Sequence, residues 1–261
     1  MPEIAGLSVT IDGSGPPVVL LHAGVADHRT FDAVAAALAA HHTVVRPDLR
    51  GFGASAPPEA GFRHRDDVIA VLDRLGLDRA ALAGNSLGGH VALEVATHRP
   101  DRVSHLALLA PPLGGWPWTA AMTGYADAEA ALLDAGDLDG AVALNQDQWV
   151  RGPHRDWTPA LRDLASRVAG AMRTALAHQR ATEERELDDD GPSPADLLDR
   201  LTMPTLVAVG THDVRDFRSI ARHLADRIPY ARFVPIDGAG HLLPAEHPAA
   251  VTAALTTLLA T

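Results

Sequence analysis

The chain contains no cysteine in 261 residues, so disulfides and thiolate chemistry are excluded and a core must hold the fold by apolar burial. No apolar run approaches the ~18 residues of a membrane-spanning helix. The opening residues, Met1-Pro2-Glu3-Ile4, carry neither a basic region nor an apolar stretch, so no secretory leader is expected and a cytoplasmic location is the default. Basic residues are in deficit, with 22 Lys+Arg against 33 Asp+Glu and a formal net charge of −11, which argues against nucleic acid or an anionic membrane as partner. The 14 histidines include no pair at His-Glu-x-x-His or comparable ligand spacing, so no metal is expected. Aromatic residues make up only 4% of the chain and are unevenly placed. All four tryptophans, Trp116, Trp118, Trp149 and Trp157, fall in one segment, and all five phenylalanines fall outside it.

What is present is a strand, a tight turn and a helix around one serine. The run Gly84-Asn85-Ser86-Leu87-Gly88-Gly89 lies between the apolar Ala80-Ala81-Leu82-Ala83 and the helix-like Val91-Ala92-Leu93-Glu94-Val95-Ala96. This is the context of a Gly-x-Ser-x-Gly nucleophile elbow, whose flanking glycines allow strand and helix backbones to come close. A serine hydroxyl needs a base to act as a nucleophile at neutral pH. Two later strand ends supply partners in the order this arrangement requires, acid and then histidine. Asp213 follows Thr205-Leu206-Val207-Ala208-Val209-Gly210, and His241 follows Ala231-Arg232-Phe233-Val234-Pro235-Ile236 within Gly238-Ala239-Gly240-His241. Asp216 is a rival for the acid and His247 for the base. Asp213 is nearer its strand end, and His241 sits in a glycine-flanked loop able to reach Ser86, so the expected triad is Ser86, Asp213 and His241.

Two further stretches carry a family resemblance. His22-Ala23-Gly24-Val25, after the apolar Pro17-Val18-Val19-Leu20-Leu21, resembles the His-Gly-x loop of the α/β-hydrolase superfamily. Asp48-Leu49-Arg50-Gly51-Phe52-Gly53-Ala54-Ser55 resembles that family's Asp-x-Arg-Gly-x-Gly-x-Ser loop. The resemblance covers about 1–110 and 204–261. It implies an oxyanion hole made by the backbone N–H groups of Gly24 and Leu87, with His22 orienting the loop and Val25 beside the substrate. Two departures stand out. Ala23 replaces the usual glycine, which requires a negative φ there. Only 21 residues precede His22, so the first of the usual eight strands is expected to be absent or vestigial around Ile4.

Apolar strands alternate with helical periodicity over 30–40 and 64–75 and through the elbow helix, which implies a mostly parallel, doubly wound sheet of about seven to eight strands with right-handed crossovers. The predicted organisation is an α/β-hydrolase core over 1–112 and 204–261. A helical insertion over 113–203 breaks the alternation, with helices predicted over 125–133, 138–149 and 159–180. In the family an insertion here is a cap or lid over the active site, which would bring Trp116, Trp118, Trp149 and Trp157 toward the substrate pocket. The charge run 183–192 reads as a solvated helix end and linker, 194–201 as a short helix, and 248–259 as a closing helix.

The expected chemistry is hydrolysis of a small-molecule acyl substrate, an ester or lactone, through an acyl-enzyme and without a cofactor. The Asn85-Ser86-Leu87-Gly88-Gly89 and Trp149-Val150-Arg151-Gly152-Pro153 stretches resemble the small-molecule esterase and enol-lactonase branch. A lyase, a perhydrolase or a ligand receptor on the same scaffold is the alternative.

Overall fold

The computed structural model describes residues 2–188 and 191–261. Its centre is one eight-stranded sheet in the order β1-β2-β4-β3-β5-β6-β7-β8. The strands are β1 (Glu3–Ile4), β2 (Leu7–Asp12), β3 (Pro17–Leu21), β4 (Thr43–Pro47), β5 (Ala80–Asn85), β6 (Val103–Leu109), β7 (Thr205–Gly210) and β8 (Ala231–Ile236). β2 runs antiparallel to both β1 and β4, and every pairing from β4 to β8 is parallel. The vestigial first strand is therefore real but two residues long, paired Glu3 to Ser8 and Ile4 to Leu7. The strands β5 and β7 are buried along their whole length, as a parallel strand covered on both faces must be.

The helices of the sheet layers are α1 (Asp32–Leu38), α2 (His64–Arg74), α3 (Leu87–His98), α7 (Arg215–Arg227), the short α8 (Leu243–Glu246) and α9 (Pro248–Leu259). α1 packs on α9 and α2 on α3. Right-handed crossovers that leave β3 and then return across it put α1 and α2 on opposite faces of the sheet. The direction of winding reverses between β3 and β5, so their carboxyl ends border a crevice.

Between β6 and β7 the chain makes α4 (Ala120–Asp134), α5 (Leu138–Asn145), a π-helical turn at Gln146–Arg151 and the long α6 (Pro159–Glu183). α6 starts where Thr158 caps it, its hydroxyl accepting from Leu161 N at 3.2 Å, with Pro159 in the first turn. Its buried Leu161, Leu164, Val168, Met172 and Leu176 follow helical spacing, and the last four join Ala141, Val142 and Val150 in a second apolar cluster. Ala23, Ala26 and Leu242 belong to the same cluster, so the inserted helices pack directly on the loops after β3 and β8.

Several element boundaries differ from the sequence expectation. α4 begins five residues before 125, running through Gly124, a poor helix former, because Thr119 is anchored from outside by Asp216. The helix expected over 138–149 stops being α-helical at Asn145 and widens into the π turn. The span 194–201 forms two 3-10 turns, Pro194–Asp196 and Leu198–Arg200, instead of a helix. In the charge run, Asp189 and Asp190 lie outside the described residues.

Candidate active site

The elbow forms because two glycines permit it. A Cβ at Gly84 would lie 2.0 Å from Gly88 O, and one at Gly88 would lie 2.2 Å from Leu21 O. Strand β5, helix α3 and the end of β3 therefore meet backbone to backbone. Ser86 stands at the top of this turn with φ 52° and ψ −118°, a conformation costly for a non-glycine residue. The residue is held by Ser86 N donating to Leu109 O at 2.9 Å and by Ser86 O accepting from His90 N at 3.0 Å.

Asp213 and His241 are brought together as the sequence predicts. His241 Nδ1 is 2.9 Å from Asp213 Oδ2 and 3.1 Å from Oδ1, and His241 and Asp213 are only 3% and 1% exposed. Asp213 Oδ1 also accepts from Val214 N at 2.7 Å, which fixes the carboxylate plane. The rivals are engaged elsewhere. Asp216 accepts from Thr119 N at 2.9 Å and Thr119 Oγ1 at 2.7 Å, and so ties the inserted segment to α7. His247 faces Glu246 Oε1 at 3.7 Å and is absent from the walls of the cavity that holds Ser86 and His241.

That cavity has a volume of about 310 Å³. Gly24, Val25, Ser86, Leu87, Trp149 and His241 are all in its wall. Leu87 is the first residue of α3, so its N–H has no acceptor within the helix. A Cβ on Gly24 would sit 3.4 Å from Leu87 Cδ2, so the two candidate oxyanion donors belong to neighbouring residues. Gly24 and Ala23 both lack a positive φ, so Ala23 is accommodated without strain.

His22 acts as a strut between loops. Its Nδ1 donates to Ala23 O at 2.8 Å and its Nε2 accepts from Leu49 N at 2.9 Å. Full burial lowers its proton affinity and keeps it neutral, as that pairing requires. Asp48 organises the second loop. Its Oδ1 accepts from His28 N and Nδ1, and its Oδ2 from Ala54 N. Burial alone would raise its pKa, but these hydrogen bonds outweigh it and hold the carboxyl below the usual range. Asp27, His28 and Asp48 bring ligand atoms within 4.8 Å of one another, a grouping the sequence spacing did not signal. The Asp48 oxygens are taken by the bonds just described, and Asp27 grips the Arg29 guanidinium at 2.6 Å.

Of the four tryptophans, only Trp149 lines the cavity. Its ring lies 4.5 Å from the His241 ring, centroid to centroid, and the π turn is the element that presents it. Trp116, Trp118 and Trp157 are placed differently from the expectation. Trp116 packs edge-on against His223, Trp118 against Phe217, and Trp157 donates to Asp147 Oδ1 beneath Arg162. None of the three is in the cavity wall, since each packs on another partner.

Sequence reading missed several groups around Ser86, Asp213 and His241. Asn85 Nδ2 donates to Leu109 O at 3.0 Å and to His241 O at 3.1 Å, bracing the histidine loop against the elbow strand. Phe217, four residues after Asp213, packs 4.5 Å from the His241 ring, which Trp149 also contacts. Arg155, from the inserted segment, pairs with Glu246 and donates to Gly238 O at 3.0 Å, while Glu246 Oε2 accepts from Gly240 N at 2.8 Å. The loop carrying His241 is thus held by Asn85, Arg155 and Glu246 together. An aromatic close after the acid was a signal available for Phe217; Arg155 and Glu246 carried none.

Among the described residues no helix is long and apolar enough to cross a membrane. The family model for the alpha/beta hydrolase fold matches residues 16–248. A 2-hydroxymuconate semialdehyde hydrolase from Pseudomonas sp. (strain CF600) is 30% identical over 250 residues, covering 91% of this chain and 84% of its own. A soluble epoxide hydrolase from Corynebacterium sp. (strain C12) is 28% identical over 274 residues, covering 90% of this chain and 87% of its own. The crystal structure of an enol-lactonase from Burkholderia xenovorans LB400 superposes with a TM-score of 0.82 at 22% identity, over 100% of this chain and 99% of that one, a likeness of fold. With an eight-stranded sheet, an elbow serine and a family match across nearly its whole length, the chain belongs to the α/β-hydrolase fold family.

Proposed function

We propose that the protein is a serine hydrolase that cleaves a small-molecule ester or lactone through an acyl-enzyme. The observation that carries this reading is a buried His241–Asp213 pair opening onto the same cavity as a strained elbow serine. Ser86 Oγ attacks the acyl carbonyl carbon and passes its proton to His241 Nε2. Asp213, bonded to Nδ1, holds the imidazole in the tautomer that leaves Nε2 free to accept and stabilises the cation that forms. The N–H groups of Gly24 and Leu87 receive the developing oxyanion, an interaction worth about 3–4 kcal/mol per donor. His241 then returns the proton to the departing alkoxide. Water, deprotonated by the same nitrogen, attacks the acyl carbon and releases the acid and Ser86.

The inserted helices over 113–203 act as a cap. The support is that Tyr125, Trp149, Leu176 and Gln179, all from this segment, line the cavity with Ser86. The relatives named above are hydrolases, which favours hydrolysis over the lyase, perhydrolase and receptor alternatives on this scaffold.

The test is a fluorophosphonate probe with peptide mapping by mass spectrometry. A single adduct on Ser86 is expected, and a folded protein left unlabelled there would sink the reading. Ser86→Ala is expected to lower kcat by several orders of magnitude, and adding Asp213→Asn to it to cost little more, because triad members act as a unit.

A further inference from the structure

Beyond the catalytic groups, the cavity wall is chemically one-sided. It includes three carboxylates, Glu129, Glu183 and Glu186, and among the described residues no arginine, while the sequence has no lysine at all. Glu129 is fixed in place by neutral donors. Its Oε1 accepts from Tyr125 Oη at 2.6 Å and Asn145 Nδ2 at 2.5 Å, and its Oε2 lies 3.3 Å from Gln179 Nε2. Such donors orient a carboxylate without cancelling its charge. The neighbourhood of Glu186 is negative as well. Although the residue is exposed overall, partial burial of its carboxyl, and then the Glu94 and Glu183 charges, push it up to about 7.

Two independent features of the same wall complement these carboxylates. Phe52, Tyr125, Trp149 and Phe217 present aromatic surface to the cavity, and ring faces attract cations, alkylammonium groups above all. His64, 1% exposed, also lines the cavity, and its Nδ1 has no hydrogen-bond partner among the described residues. Burial first, then the nearby His22 and Arg50, bring its pKa down to about 3, so it adds no positive charge to this wall. An anionic substrate would meet three glutamates, one of them about half protonated near neutral pH, and no countercharge in this wall. A cation would gain from carboxylate and ring together.

We infer that the substrate carries a cationic group, a protonated amine or quaternary ammonium, which lodges between Glu129 and the aromatic wall while the acyl carbon faces Ser86. This assignment of substrate class rests on the acyl-transfer reading above. The bond cleaved and the proton path are those already described, and the cationic group takes no part in them.

The experiment compares three p-nitrophenyl esters of matched length: trimethylammonio-butanoate, its uncharged tert-butyl isostere, and hemiglutarate. The expected order of kcat/KM is cation above neutral above anion. The cation should lead by about tenfold to a hundredfold, as a charge-assisted contact of this kind provides, and the lead should shrink with added salt. Glu129→Gln should collapse the cation-to-neutral ratio. The rim variant Glu183→Gln/Glu186→Gln should reduce it by less, and it serves as the second arm if Glu129→Gln does not fold. Equal rates for cation and neutral, faster turnover of the anion, or a ratio indifferent to both variants would overturn the inference.

Calorimetric titration with phenyltrimethylammonium, tert-butylbenzene and benzoate reads the charge preference without chemistry. Tighter binding of the cation that weakens in Glu129→Gln, with no turnover of any ester, would sustain the cation site and refute acyl transfer. Ester turnover with no charge preference in either assay would do the reverse.

Discussion

At the scale of single residues, the site depends on atoms that are absent as much as on those present. A side chain on Gly84 would bring its Cβ within 2.0 Å of Gly88 O, so there is no room for even a methyl group. Gly84→Ala is therefore expected to lower the unfolding midpoint by the equivalent of about 1–3 kcal/mol or more and to abolish labelling of Ser86, with chemical denaturation and the fluorophosphonate probe as the two readouts. The titrating groups of the cavity wall make opposite contributions to stability. His64 has its pKa lowered to about 3 from an ordinary value of 6.5, so between those limits the unfolded chain binds the extra proton and stability falls as pH falls. Glu186 is raised to about 7 from 4.5, so there the folded chain binds the extra proton and stability falls as pH rises through that window. In melting curves from pH 4 to 8, Glu186→Gln should gain on the parent protein progressively above about pH 4.5. A constant offset would mean that the carboxyl is not perturbed.

At the scale of elements, the inserted helices are joined to the core at the loop that carries His241. The side chains of the Arg155–Glu246 pair are each only 10% exposed, and the pair bridges the insertion to the residue preceding His241. Glu246→Gln leaves the guanidinium without its countercharge and is expected to cost about 3–5 kcal/mol, measured by urea unfolding. The same variant should lower kcat more than it raises KM, since it loosens His241 and touches no substrate. The π turn has a similar local consequence. It carries Trp149 to both the cavity and the His241 ring, whereas Trp118, 37% exposed, is turned outward onto Phe217. Trp149→Ala should therefore reorder a panel of acyl chain lengths and lactone ring sizes, and Trp118→Ala should leave that order intact. A panel that responded equally to both would contradict the assigned wall. Sequence periodicity found the helices on either side of this turn, but not the turn itself, because a single π turn of six residues is too short to set a period of its own.

At the scale of the whole molecule, the site lies where the winding of the sheet reverses. The loops after β3 and β5 meet there, and those after β7 and β8 reach it from one side. This framework was legible because its signals are local. Apolar runs of strand length, Gly84 and Gly88 around Ser86, and Asp213 and His241 after strand ends each carry their own physical reason in adjacent residues. The bracing contacts were not legible. Asn85 reaches a backbone oxygen 156 residues away at His241, and Arg155 meets Glu246 across 91 residues, separations that no periodicity encodes. The acidic and aromatic character of the cavity was hidden for the same reason, since Phe52, Glu129, Glu186 and Phe217 come from four separate stretches of chain. The proposed covalent catalysis by Ser86, on which the rest of the proposed chemistry depends, is tested best by trapping its intermediate. The protein is mixed with a slowly deacylating aryl ester, quenched in acid during turnover, digested and mapped. An acyl group is expected on the peptide containing Ser86, formed and lost at rates that match turnover. Product accumulating while that peptide stays unmodified would contradict acyl transfer through Ser86.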